Sequence, residues 1–165
     1  MTPDGATDLG PALQSCIDHI PPGGTLNLPP GVYGLGTQVY INKPFTLQTQ
    51  GLAGSTASCE AAGSGCAVLK ALPSFNTNGG GFLAVDSTHE VTLDHLVLDG
   101  NRAARLGTTA ASQCAAGSNR YGFNARMSGC TSCRFTNNVS KNALCGSGLE
   151  FRGNNAVITG NVFRG

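Results

Sequence analysis

Apolar and polar residues alternate in short runs over most of the chain. The alternation Thr25, Leu26, Asn27, Leu28 is followed by apolar runs at 32–33, 39–41, 45–47, 67–72, 82–85 and 91–98, each set between Gly, Pro, Asn or Asp. A period of two broken by frequent turn residues predicts strands of three to six residues. One segment departs from this rhythm. Leu13, Cys16, Ile17 and Ile20 recur at helical spacing, so residues 11–20 form an amphipathic helix, stopped by Pro21, Pro22, Gly23 and Gly24.

The pattern also recurs at long range. Aligning Leu93, Phe135 and Ile158 superimposes Val97, Val139 and Val162, and sets Asn138 on Asn161, at intervals of 42 and 23 residues. A repeat near 23 built on β-branched runs and Asn/Gly turns marks a stack of like units. A leucine-rich repeat needs a consensus and a helical segment that this chain lacks, and a sandwich has no superimposable repeats. The expectation is all-β: a right-handed parallel β-helix with three short strands per turn, inward apolar stacks, and a short N-terminal helix plugging the sheet edge. Residues 1–165 read as one domain, with 1–24 as the cap region, 25–165 as rungs, and a long insertion at about 101–120. The strand before Gly165 has no matching plug, which predicts a truncated end, a continuation or self-association there.

Composition narrows the classes of partner. Twenty-four glycines and eight prolines without collagen period serve turns. With 12% charged residues and a formal net charge of +1, nucleic acid is excluded as a partner, Arg102 and Arg105 being too sparse to track phosphates. No run approaches the ~18 apolar residues of a membrane span, and no signal peptide precedes Thr2, Pro3 and Asp4. A soluble chain whose export signal, if any, has been removed is expected.

Seven cysteines favour an oxidising location, secreted or at the cell surface. Cys16, on the apolar helix face, is expected to be a buried free thiol. Cys59 and Cys66 flank a Gly/Ala/Ser loop that they can close. Cys114, Cys130, Cys133 and Cys145 fall in one rung and its insertion. Zinc is the alternative reading of this CxxC and its flanks, but Cys114 and Cys145 lack partner spacing, so disulfides are favoured, with the pairing among these four left open.

Residues 12–35, ALQSCIDHIPPGGTLNLPPGVYGL, resemble the cap and first turn of the pectate-lyase-like β-helix superfamily, over about the first fifty residues of the chain. The Gly-Asp-Gly usual before this stretch is present only as Pro3, Asp4, Gly5. LVLDGNR at 96–102, with a long insertion after it, is similar to the catalytic module of mannuronan C5-epimerases. In that family the insertion leads to Tyr-Gly-Phe-Asp-Pro-His, and another Asp follows one rung later. Here the stretch reads Tyr121, Gly122, Phe123, Asn124, Ala125, Arg126, and Glu150 falls near the later Asp. The resemblance implies action on an acidic polysaccharide, with Tyr121, Asn124, Arg126 and Glu150 as the catalytic set. An amide and an arginine stand where the family has an acid and a histidine.

Stacking Leu83, Ala84, Val85 on Tyr121, Gly122, Phe123 and on Leu149, Glu150, Phe151 places Ala84, Gly122 and Glu150 in one outward column. Asp86, Asn124 and Arg152 form the next, with rungs ~4.8 Å apart. Asp86, Asp99, Arg102 and Arg152 are the candidate substrate-binding residues. Lyase and epimerase reactions on uronic acids both begin with loss of the C5 proton. The sugar carboxylate must then be neutralised, and an acid and a base must flank the ring. Arg126 or Arg152 with Asn124 meets the first need, Tyr121 or Glu150 the second. Calcium is the alternative neutraliser, and no metal site is assigned, because His19, His89 and His95 have no third ligand at metal spacing. Hydrolysis needs two carboxylates ~5 to ~9.5 Å apart, for which Glu150 with Asp86 or Asp99 is the available pairing. Plainer roles compete with these: Tyr121 in the core, Glu150 and Arg152 as a surface pair, Asp99 as a turn acid, Asn138 and Asn161 as turn amides. A non-catalytic polysaccharide-binding or adhesion β-helix, or an inactive fragment of a larger enzyme, is the second class of function. Three Tyr and no Trp leave little for a sugar-stacking surface.

Overall fold

A computed structural model describes residues 2–61, 63–76, 81–108, 114, 122–145 and 147–165. These are mostly β, in three parallel sheets with two helices. The chain opens with β1 (Asp4–Asp8) and α1 (Gly10–His19), then runs β2 (Gly24–Leu28), β3 (Gly31–Leu35), β4 (Val39–Ile41), β5 (Phe45–Thr49), β6 (Ala67–Ala71), β7 (Leu83–Asp86), β8 (Val91–Asp94) and β9 (Leu96–Asp99). A short helix α2 (Arg102–Arg105) precedes β10 (Ala125–Thr131), β11 (Arg134–Thr136), β12 (Val139–Lys141), β13 (Leu149–Asn154), β14 (Val157–Thr159) and β15 (Val162–Arg164). From β2 onward every third strand joins the same sheet. Sheet A is ordered β1-β3-β6-β9-β12-β15, sheet B β2-β5-β8-β11-β14, and sheet C β4-β7-β10-β13.

The long-range repeat is realised residue for residue. Leu93 pairs with Phe135 and Phe135 with Ile158 in sheet B, while Val97, Val139 and Val162 stand in line in sheet A. Alternation sends one half of each strand inward. Leu26, Leu47, Leu93, Phe135 and Ile158 stack from sheet B, Ile41, Val85, Met127 and Phe151 from sheet C, and Tyr33, Leu69, Leu98, Ser140 and Phe163 from sheet A. Full burial of each Leu or Phe contributes about 1.5–3 kcal/mol. At the last circuit the stacks emerge, with Ile158 45% and Phe163 49% exposed.

The corners explain the asparagines. His95, Asn137 and Gly160 occupy equivalent corners between sheets B and A, all with positive φ (49°, 56° and 67°). Residues with short polar side chains tolerate that conformation, and Gly meets no Cβ clash in it. The next residue at two of these corners bridges successive circuits. Asn138 accepts from the Leu96 N–H and donates to the Leu93 carbonyl, and Asn161 accepts from the Asn138 N–H and donates to the Phe135 carbonyl. Both asparagines are turn amides.

Helix α1 starts with Pro11 in its first turn and buries Leu13 and Ile17. Gln14 treats sheet C as a neighbouring strand would: its Oε1 accepts from the Tyr40 N–H at 2.7 Å and its Nε2 donates to the Tyr40 carbonyl at 3.0 Å. The edge of β4 is thereby covered. Three details depart from the sequence reading. A strand, β1, precedes the helix and pairs with β3, so the cap region is not purely helical. A second helix, α2, opens the insertion after β9. Cys16 is half-buried, not buried, because α1 rests on Leu13 and Ile17 and Cys16 flanks that line.

The other six cysteines pair as Cys59–Cys66, Cys114–Cys145 and Cys130–Cys133. The CxxC thus closes on itself across the corner between β10 and β11. Among the described residues no three His, Cys, Asp or Glu side chains gather as metal ligands. Nor is any helix among them long and apolar enough to cross a membrane.

Candidate functional site on the outer face of sheet C

Sheet C carries the densest set of polar groups among the candidates. Strand β4 turns Tyr40 outward between buried Val39 and Ile41. In register beside it come Ala84 on β7, Arg126 on β10 and Glu150 on β13, and the next outward column holds Asp86, Ser128 and Arg152. Successive members lie one strand spacing apart, ~4.8 Å. Asp86 is the hub: its Oδ2 accepts the Tyr40 hydroxyl at 2.5 Å and forms an ion pair with Arg126 Nη2. Ala84, outward between Tyr40 and Arg126, is fully buried. One rung on, Glu150 pairs with Arg152 at 2.6 Å.

Electrostatics assign a direction to the tyrosine. The hydrogen bond to Asp86, helped by partial burial, pushes the Tyr40 hydroxyl above its ordinary value. Tyr40 therefore stays protonated through neutral pH, with its hydroxyl proton directed at Asp86. Arg126 spends one donor on Asp86, and its Nε is buried with no partner among the described residues. A guanidinium has five donors in a fixed fork, which suits a carboxylate.

The structure overturns the expected register of the middle strand. Leu83 is flanked by Ala125, not Tyr121, so Ala125 and Met127 fill the interior where Tyr121 and Phe123 were expected, four residues on. An even shift keeps the same faces inward and outward, so alternation alone cannot detect it. Asn124 consequently leaves the outer face. It is fully buried, and its Nδ2 donates to the Lys141 carbonyl (2.8 Å), the Ser140 hydroxyl (2.9 Å) and the Leu98 carbonyl (3.0 Å). It ties the end of the insertion to two circuits and cannot meet a substrate on sheet C. Tyr121 lies outside the described residues.

Four sequence candidates do meet on this face: Asp86, Arg126, Glu150 and Arg152. Asp99 and Arg102 do not join them. Asp99 ends β9 in sheet A, where its Oδ1 accepts from the Asn101 N–H (2.9 Å) and Asn142 Nδ2 (3.0 Å), the pattern of a turn acid. Arg102 is exposed at the start of α2. Its helix neighbour Arg105 turns inward to the carbonyls of Gly100 and Phe75, where burial pulls its pKa down to about 10. Sequence reasoning missed Tyr40, although the Val39-Tyr40-Ile41 alternation already pointed it outward.

No family model matches the chain, and no curated protein matches it. Among solved structures, a protein from Parabacteroides merdae, provisionally described as a glycosyl hydrolase, superimposes with a TM-score of 0.70 at 16% identity, over 99% of this chain and 73% of that one. At that identity the likeness establishes a shared fold.

Proposed function

We propose that the protein is a right-handed parallel β-helix of the pectate-lyase-like kind that acts on an acidic polysaccharide laid along the outer face of sheet C. The observation that carries this reading is the run Tyr40, Asp86, Arg126, Glu150 and Arg152 on adjacent strands, a charged strip crossing the rungs. An extended saccharide suits such a strip, because its subsites repeat along a line. The fold shared with a provisional glycosyl hydrolase supports a carbohydrate role, and three disulfides fit a secreted or cell-surface protein.

In the reaction, Arg126 engages the uronate carboxylate with its remaining donors and stabilises the charge that builds on it as the C5 proton leaves. Glu150, one rung away, takes that proton, with Arg152 holding its carboxylate in place. Tyr40 donates: to the leaving oxygen in elimination, or to the opposite face of C5 in epimerisation. Deuterium incorporation at C5 of alginate, pectate or a glycosaminoglycan in D2O, with and without calcium, reports epimerisation, because elimination leaves no hydrogen on C5. Absorbance at the unsaturated-uronate band separates elimination from epimerisation. Either signal, abolished by Arg126→Ala and Glu150→Ala, supports the reading; the absence of both across the panel rejects C5 chemistry on those polymers.

One observation favours a second reading. Both acids on this face are already met by arginines of the same face, an arrangement suited to holding a sugar without transforming it. Binding to the same polymers with neither deuterium incorporation nor the unsaturated-uronate absorbance would select this non-catalytic role.

A further inference from the structure

Sheet A presents an outer face of another kind. Val32, Val68, Val97, Val139 and Val162 stand in register along it, and beside them run Gly34, Lys70, Asp99, Lys141 and Arg164. Five outward valines in line form an apolar stripe, and removing it from water is favourable. Part of the cover is the connection from β5 to β6. Its Cys59–Cys66 disulfide packs on Val97 and Val139, with Leu52, Val68 and Val162 around it.

The cover is incomplete. Between this connection and the sheet a cleft of about 530 Å³ remains, floored by Val32, Val68, Val97 and Val139, with Lys141 and Arg164 at one end. That size falls within the ~300–1,000 Å³ of small-molecule sites. Lys141, Arg164 and Glu60 line it, and Lys70 lies just outside the lining in the same column, so the charges on and beside the cleft lean positive. Lys70, Lys141 and Arg164 share a column with a single acid, Asp99, and Glu60 on the connection pairs with Arg164. Asp99 sits 3.8 Å from Lys141 and already accepts from Asn101 and Asn142, and Lys70 has no acid at ion-pair distance among the described residues. An apolar floor with surplus cations along one side complements a molecule with an aliphatic body and one anionic head.

We propose that this cleft binds a monoanionic amphiphile of the medium-chain fatty-acid type, its chain lying along the valine column and its head at Lys141. From Val139 back to Val32 the column crosses three strand spacings, roughly 14 Å, the reach of an extended medium-chain acyl group. Lys141 is two residues beyond Val139 on the same face of β12, so the head is met as the chain leaves the floor.

Decanoate is the probe, titrated by calorimetry into the full chain, with decanol as the uncharged control. Decanoate should bind one to one, and Lys141→Gln should weaken it about tenfold while changing decanol affinity less than threefold. Ala61→Trp, on an exposed part of the connection that lines the cleft, should remove binding of both without lowering the thermal midpoint. Val139→Asp should also remove binding of both, with a lowered thermal midpoint because Val139 is buried against the disulfide, and Val139→Thr replaces it if the aspartate variant fails to fold. Undiminished decanoate binding in Ala61→Trp would place the ligand elsewhere, for instance on the emerging Ile158 and Phe163, and overturn the proposal. No binding to the native chain would overturn it as well. Deuterium incorporation or saccharide binding on sheet C should be the same in Ala61→Trp as in the native chain.

Discussion

Sheets A and C build the same interior and turn opposite chemistries outward. On sheet C the outward columns hold Tyr40, Asp86, Arg126, Glu150 and Arg152, and their charges answer one another across the rungs. On sheet A the equivalent column is valine, roofed by a disulfide-closed connection, with its charges moved one column aside. Inside, both sheets contribute aliphatic and aromatic stacks with little to distinguish them. The inward half of each strand therefore determines stacking, while the outward half is free to carry function. Neighbouring faces of one stack can then evolve separately.

Leu93→Ala is the severest way to break that separation. Leu93 is fully buried between Leu47 and Phe135 in the sheet B stack, and its truncation should cost about 2–5 kcal/mol. Denaturant unfolding should show the loss, and both faces should lose their ligands together. Loss on one face alone would mean that the two do not share a core. Replacing Cys59 and Cys66 together by Ser should lower stability by about 2 kcal/mol. That change should weaken decanoate at sheet A and spare the saccharide at sheet C. Arg126→Ala acts on the other face, cutting C5 exchange or saccharide affinity at least tenfold and leaving decanoate binding unchanged. Its effect on the thermal midpoint should correspond to about 1 kcal/mol or less, as for a partly exposed pair.

The smallest effect belongs to neither face. Burial disfavours ionised Asp8, but the Thr37 hydroxyl and the N–H groups of Gly10, Gly36 and Thr37 outweigh it and hold the carboxyl below its ordinary value. A depressed folded-state value means that the stabilisation is complete above the ordinary carboxylate range and fades as pH falls through the depressed value. Asp8→Asn should accordingly flatten the acid limb of the stability–pH curve and leave its neutral region the flatter part of the profile. An unchanged acid limb would show that these bonds do not tune Asp8.

Strand positions were legible wherever a corner supplied an absolute phase. Asn138 and Asn161 mark the same corner, and the valines and large apolar residues around them fell into correct register. The stretch 121–126 has no such marker. Tyr-Gly-Phe and Ala-Arg-Met carry the same inside–outside parity, and it is Ala125 that pairs with Leu83. Asn124 reads in sequence like any polar residue near a strand; only its contacts with β9 and β12 reveal it as a buried donor. The Cys114–Cys145 bridge depends on where that insertion returns, which strand periodicity does not encode. The valine floor of sheet A was hidden for a related reason, since β-branched residues suit both faces of a strand.

The corners have a consequence for how such a chain gains new parts. Each returns the backbone to the same place relative to the previous circuit, so added residues at a corner need not disturb a single strand pairing. The two longest connections, 50–66 and 100–124, enter at different corners, and the strands on either side of each still pair with the circuits before and after. Lengthening a loop costs only logarithmically in closure entropy. One of these additions roofs the valine cleft, and the other delivers Asn124 into the core ahead of Arg126. The fold is thus modular at its corners: lineages can lengthen one connection at a time and acquire a surface without renegotiating the stack that supports it.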